Sequence, residues 1–211
     1  KTKFYISGQY LDQAGIIVRN SLKRYSARFN VDHQMKDWLN IGVNVNFART
    51  DNFRVSNDNA FSTPLQIVAL SPITPLIDPR TNLASGALDL VSGNPNTNYP
   101  VYYNPLLSVL DASYKTFVNR TFGTTYGKVT FSPNLYFRTE FGIDQLNQVE
   151  ESYNGKLTSR NSGVPNGSGA YRKPQVLNLT TNNYFNFRKT FAVKHDVDVL
   201  LGTSYTSSHS V

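Results

Sequence analysis

The feature that most constrains this chain is a two-residue rhythm of apolar and polar side chains, held over stretches too long for an ordinary strand. Across residues 39–50 the odd positions read Leu39, Ile41, Val43, Val45 and Phe47, and the even ones Asn40, Gly42, Asn44, Asn46 and Ala48. A period of two places alternate side chains on opposite faces of a β-strand; a helix would need a period near 3.6. Residues 22–32 set Tyr25, Ala27, Phe29 and Val31 against Arg24, Ser26, Arg28, Asn30 and Asp32. Residues 135–145, 177–187 and 193–205 repeat the pattern, and 3–10 and 116–131 carry weaker versions. The rhythm predicts an all-β, antiparallel, up-and-down arrangement of about seven strands, near 3–10, 22–33, 39–50, 116–131, 135–146, 176–188 and 193–206.

Strand length then narrows the class. Most runs reach about 11 residues, against a usual mode of about 5–6. At roughly 3.3 Å per residue such a strand is about 36 Å long, and a tilt near 45° brings it to about 25 Å, the height of the apolar band of a membrane barrel. Asparagine is normally depleted in strands, yet it lines one face of several of these, which a hydrated lumen accommodates and a dry sandwich core does not. The links also sort by length. Short ones (34–38, 132–134, 189–192) alternate with long ones (11–21, 51–115, 147–176). Short turns at one end and long loops at the other are the layout of a bacterial outer-membrane barrel. Because such barrels have even strand numbers, an odd count of long strands predicts a transmembrane β-barrel segment, part of a larger barrel.

Composition supports this by exclusion. Charged residues are 17% and aromatics 13%, against intrinsic disorder, which needs high charge and few aromatics. There is no cysteine, so disulfide scaffolds and thiol chemistry are excluded. The net charge is +7 with the Lys and Arg scattered, so no nucleic-acid footprint is expected. A charge-free stretch over residues 59–77 is interrupted by Pro64, Pro72 and Pro75 and is no transmembrane helix. Mean hydropathy is −0.37, a value a barrel with a wet interior can also have. The chain begins at Lys1 rather than Met, consistent with a removed signal or an internal piece.

The first hairpin carries a family pattern. Tyr5, Ser7, Tyr10, Asp12, Gln13, Gly15, Ile16 and Ile17 stand in the order of Y-x-S-x-x-Y-x-D-Q-x-G-I-I. The run from Arg24 to Asp32 continues it, then Asp37-Trp38-Leu39 and Gly42 match D-W-L-x-x-G, and Ser71-Pro72-Ile73-Thr74-Pro75-Leu76-Ile77-Asp78 a proline-punctuated loop. Together these resemble the opening of the barrel of SusC/RagA-like TonB-dependent transporters; Ala14 stands where an acidic residue is common. The motifs cover about the first 80 residues, and beyond them only strand pattern and loop order agree. The resemblance implies a 22-stranded barrel in the cell outer membrane with an N-terminal plug, the plug being absent from these residues. It also implies energisation by TonB-ExbB-ExbD through that missing region, a SusD-like lipoprotein partner, and import of oligosaccharides or peptides. No cofactor and no catalytic role is implied. The rivals are a soluble β-sandwich carbohydrate-binding module or adhesin, and a passive porin.

Candidate residues follow from placement. Tyr99, Tyr102 and Tyr103 lie in a Pro/Asn-rich loop and could stack on sugar rings or meet a partner, or simply pin the loop. Residues 61–70 have a helix-like spacing suited to packing the loop over the barrel mouth. Arg24, Arg28, Arg138, Glu140 and Asp144 are expected on the lumen face, as plug or ligand contacts. Glu140 and Asp144 would stand about 13 Å apart along a strand, too far for a glycosidase pair. His33, His195 and His209 are too scattered to form a local metal motif, and Asp51, Asn52, Asn57, Asp58 and Asn59 lack EF-hand spacing. The glycines at 163, 167 and 169 make a flexible loop rather than a phosphate cradle.

Overall fold

The structure, a computed structural model, describes residues 1–55, 70–98, 104, 106–156, 167–192 and 195–211. Its strands are β1 (Thr2–Ala14), β2 (Ser21–Lys36), β3 (Leu39–Arg54), β4 (Ala112–Ser132), β5 (Leu135–Asn154), β6 (Ser168–Arg172), β7 (Gln175–Phe191) and β8 (His195–Ser210). One short helix, α1 (Leu106–Leu110), precedes β4. All neighbouring strands are antiparallel, in the order β1-β2-β3-β4-β5-β7-β8, with β6 paired to β5. The chain is therefore an all-β, up-and-down sheet whose outer strands, β1 and β8, each pair on one side only among the described residues.

The eighth strand is the continuation of another. β6 meets β5 with Glu150 opposite Arg172, and β7 meets it with Asn147 opposite Gln175, so both share one register. Pro174 has no N–H to give the ladder and interrupts it, while its carbonyl still accepts from Gln148 N at 3.0 Å. Seven long strands are thus present, as the rhythm predicts, but they overshoot their expected ends at the long-loop side. β5 continues to Asn154 rather than 146, and the expected loop 51–115 begins only after Arg54 and gives way to strand at Ala112. The reason is compositional: Asn, Gln, Ser and Glu replace the apolar alternation there, but a ladder partner can hold polar residues in a strand as well as apolar ones.

Register joins the faces across all strands. One face collects Ile6, Phe29, Val45, Gly123, Ile143 and Leu179 in a single row, with Phe4, Val31, Val43, Thr125, Phe141 and Thr181 beside it. The opposite face collects Tyr5, Asn30, Asn44, Thr124, Gly142 and Thr180. On the apolar face Leu177 and Phe187 lie about 33 Å apart along β7, or about 23 Å in depth at a 45° tilt. Aromatic groups border this band. Phe137 and Phe131 lie against Phe185, with centroids 4.7 and 6.4 Å away, at the short-turn end. Tyr10 and Tyr25 meet at 5.0 Å toward the other end. Beyond those tyrosines the same face turns ionic, with Lys23–Asp12 at 3.4 Å and Arg49–Asp51 at 3.1 Å.

No second layer covers either face among the described residues. Among the described residues, the buried apolar side chains are Val55, Ala84, Ala87, Leu88, Val109 and Ala112, all in or next to the long loop between β3 and β4. Strand residues such as Phe4, Ile6, Leu200 and Leu201 are instead widely exposed. A sandwich would bury one sheet face on another; here the packed core belongs to a loop and the sheet is a single wall. No described helix is long and apolar enough to cross a membrane, which leaves strand crossing open.

Candidate functional site

The polar face is held by contacts that run across strands. Gly42 is the only buried residue of its rung, and a Cβ there would collide with the ring of Tyr126 and approach Asp32 Oδ1. The missing side chain lets the Tyr126 ring lie over β3, so its hydroxyl donates to Asp32 Oδ1 on β2 at 2.6 Å. The Arg138 guanidinium lies over that ring, 4.1 Å from the centroid, a cation–π geometry. Arg138 Nε lies 2.7 Å from Glu140 Oε1, close enough for an ion pair although not aligned for a hydrogen bond. Asp32 on β2, Tyr126 on β4, and Arg138 and Glu140 on β5 thus form one polar belt that passes over Gly42 of β3. Two rungs higher, Arg120 grips Asp144 with both Nε and Nη2, at 2.8 and 2.7 Å, the bidentate geometry that orients a guanidinium most firmly.

The five lumen candidates, Arg24, Arg28, Arg138, Glu140 and Asp144, all fall on this face by register. They are not brought together as one group. Arg138 and Glu140 pair with each other, Asp144 pairs with Arg120, and Arg24 and Arg28 pair with no carboxylate among the described residues. Tyr126, Asp32 and Arg120 were not singled out by sequence reasoning. Their roles depend on register, and only a glycine facing a tyrosine across a hairpin hints at them. Tyr99, Tyr102 and Tyr103 lie outside the described residues, as do residues 61–69 of the helix-like stretch.

Above the wall, the loop between β3 and β4 is built around one carboxylate. Asp78 is fully buried and accepts from Arg80 N at 3.0 Å, Arg80 Nε at 3.2 Å, Asn98 Nδ2 at 2.9 Å and Asn96 Nδ2 at 3.3 Å. Burial alone would raise its pKa, but these donors, led by the Arg80 amide, outweigh it and hold the group at about 2. Asn104 ties the loop's halves together, its amide donating to Ser85 O at 2.8 Å and its Nδ2 to Leu76 O at 3.3 Å. Its Oδ1 accepts from Leu106 N at 3.0 Å and so caps α1. The loop is fastened to its neighbours by Arg19 Nη1 on Leu110 O at 2.9 Å and Gly155 N on Asp111 O at 2.6 Å. A Cβ at Gly155 would collide with Asp111, which explains the glycine. No group of three or more His, Cys, Asp or Glu placed to hold a metal occurs among the described residues.

Comparison with known proteins meets this geometry from outside. No family model matches the chain. TonB-dependent receptor P39 of Formosa agariphila is 26% identical over 210 residues, covering 97% of this chain and 18% of that protein. TonB-dependent receptor P3 of the same organism is 24% identical over 210 residues, covering 97% and 20%. Among solved structures, the RagAB peptide importer in its 'closed-closed' state superimposes with a TM-score of 0.72 at 19% identity, over 99% of this chain and 24% of that one. The chain spans about a fifth of the length of the curated relatives it matches. The resemblance to TonB-dependent receptors therefore extends along nearly the whole chain and not only its first hairpins, and its antiparallel sheet has the fold of about a quarter of the matched RagAB importer chain.

Proposed function

We propose that this chain forms part of the barrel wall of an outer-membrane TonB-dependent importer. The observation that carries the reading is the division of the sheet into two unlayered faces, one apolar with aromatic borders and one polar and cross-linked. A single sheet exposing both is stable where lipid covers one and a water-filled, plugged lumen meets the other. The likeness to TonB-dependent receptors along 97% of the chain supports the same assignment. The cargo is an oligosaccharide or a peptide, the latter being what the RagAB importer is named for. A SusD-like surface lipoprotein works with the loop end, and TonB-ExbB-ExbD acts through a plug at the opposite end.

Each part of the wall has a task in that scheme. The Asp32–Tyr126–Arg138–Glu140 belt and the Arg120–Asp144 pair balance charge within the wall, so a plug can slide past without stripping an unpaired ion. Arg24 and Arg28 remain available to plug carboxylates or to the cargo. The loop built on Asp78 presents a rigid surface above the mouth, and Tyr99, Tyr102 and Tyr103 adjoin it in sequence as aromatic contacts for cargo or lipoprotein.

The test is fractionation with heat-modifiability and uptake. The full polypeptide should partition with the outer membrane, require detergent, and migrate differently before and after boiling. Uptake of its cargo should cease when TonB is deleted. Uptake that persists without TonB would indicate a passive porin, and a detergent-independent soluble species would indicate a binding module.

A further inference from the structure

The polar face is not uniformly neutralised. Toward the short-turn end its arginines have carboxylate partners: Arg138 with Glu140 at 2.7 Å and Arg188 with Asp196 at 2.8 Å, followed higher up by Arg120 with Asp144. Arg24, Arg28, Arg54 and Arg172, which occupy the half nearer the long loops, have no carboxylate within 4 Å among the described residues. Two of them, Arg54 and Arg172, line one cavity of about 210 Å³, whose other charged lining residues are Lys115, Glu150 and Glu151. Register makes the omission informative. Arg172 stands directly across from Glu150, yet the Glu150 carboxylate is taken by the Gln148 amide at 2.6 Å and not by the guanidinium. Arg54 stands beside Tyr114, whose hydroxyl is turned to Asn154 Oδ1 at 2.7 Å.

We infer that Arg54 and Arg172 form a carboxylate-recognition site at the loop end of the lumen, selecting cargo that carries an acidic group. This rests on the importer reading above and deepens it by giving the cargo a charge. A guanidinium presents a planar fork of donors that a carboxylate satisfies in two places at once, and a wall that pairs Arg120, Arg138 and Arg188 leaves these two forks open in one cavity where cargo enters. Glu150 lies in the same cavity, and its Oε2, the oxygen that Gln148 does not occupy, accepts a hydroxyl or amide proton beside the acidic group, so the site fits a carboxylate flanked by donors. A uronic acid of an oligosaccharide and the end of a peptide both have that chemistry.

The experiment uses the full transporter in outer-membrane vesicles. Binding is measured for a short oligogalacturonate against its carboxyl-reduced form, and for an acidic tripeptide against its amidated form, at low and high salt. The inference expects at least one acidic probe to bind about tenfold or more tightly than its neutral counterpart, the strength of one charge-assisted contact, with the gap shrinking in salt. The pair that separates identifies the source of the carboxylate. In the Arg54→Gln, Arg172→Gln double variant, checked for folding by heat-modifiability, that gap should close. Equal binding of both members of both pairs by the unmodified transporter would overturn the inference, as would a gap that survives the double substitution. A protein absent from the outer membrane would instead overturn the importer reading itself.

Discussion

Gly42 and Asp78 carry more of this structure than their size suggests. At Gly42 the absent side chain is occupied by the ring of Tyr126, so Gly42→Val should cost about 1–3 kcal/mol through overpacking and break the hydroxyl contact with Asp32. Tyr126→Ala removes the obstacle, so adding it to Gly42→Val should cost less than the sum of the two singles. Urea titration of the folded barrel in detergent would give the cycle, and strictly additive values would show that the two residues do not touch. Asp78 yields a pH prediction. Its pKa falls from 3.8 to about 2 in the folded loop. A depressed carboxylate contributes stability fully above its unfolded value and loses it as pH drops through its folded one. The loop should therefore resist an acid-tolerant protease such as pepsin at pH 4 and become susceptible near pH 2. Asp78→Ala should make it susceptible at pH 4 as well, because the donors around it lose their acceptor.

At the scale of the element, the alternation in each strand states which face it presents, and charge should be tolerated accordingly. Val45→Arg places a cation on the apolar face in the row of Ile6, Phe29 and Ile143, and should cost about 2–4 kcal/mol if that row lies near the bilayer midplane. Asn44→Arg, one residue away on the polar face, should fall within about 0.5 kcal/mol. Equal costs would remove the distinction between the faces. The same alternation explains what was legible in advance. Residues 39–50 and 135–146 announce their strands because apolar and polar positions differ sharply. The extension of β5 to Asn154 and the short β6 do not, since their polar residues are held by ladder bonds to each other. Pro174 hid the continuity of β6 with β7, for a proline in a sequence looks like an end when here it is an interruption. Among the candidate site residues, Arg24, Arg28, Arg138, Glu140 and Asp144 could be placed on one face by parity alone. Which of them pair could not, because Arg120 and Asp144 meet only through the β4–β5 register.

For the whole molecule, the location of the core is the decisive property. Among the described residues the buried apolar side chains sit in or next to the loop, while the sheet exposes Phe4, Ile6, Leu200, Leu201 and Tyr205 at two-thirds of their surface or close to it. A sheet of that kind with two open edges should aggregate in water unless lipid and further strands cover it. The central claim, that the apolar and polar faces of the sheet meet lipid and water respectively, has a direct test because the chain has no cysteine of its own. Single cysteines would replace Val43, Asn44, Val45 and Asn46 in turn in the full protein in its native membrane, each reacted with a water-soluble, membrane-impermeant maleimide after the plug is loosened with urea. The account predicts labelling at 44 and 46 and protection at 43 and 45, with the protected pair reacting instead with a lipid-soluble reagent. Labelling of all four by the aqueous reagent, or protection that does not alternate, would contradict it.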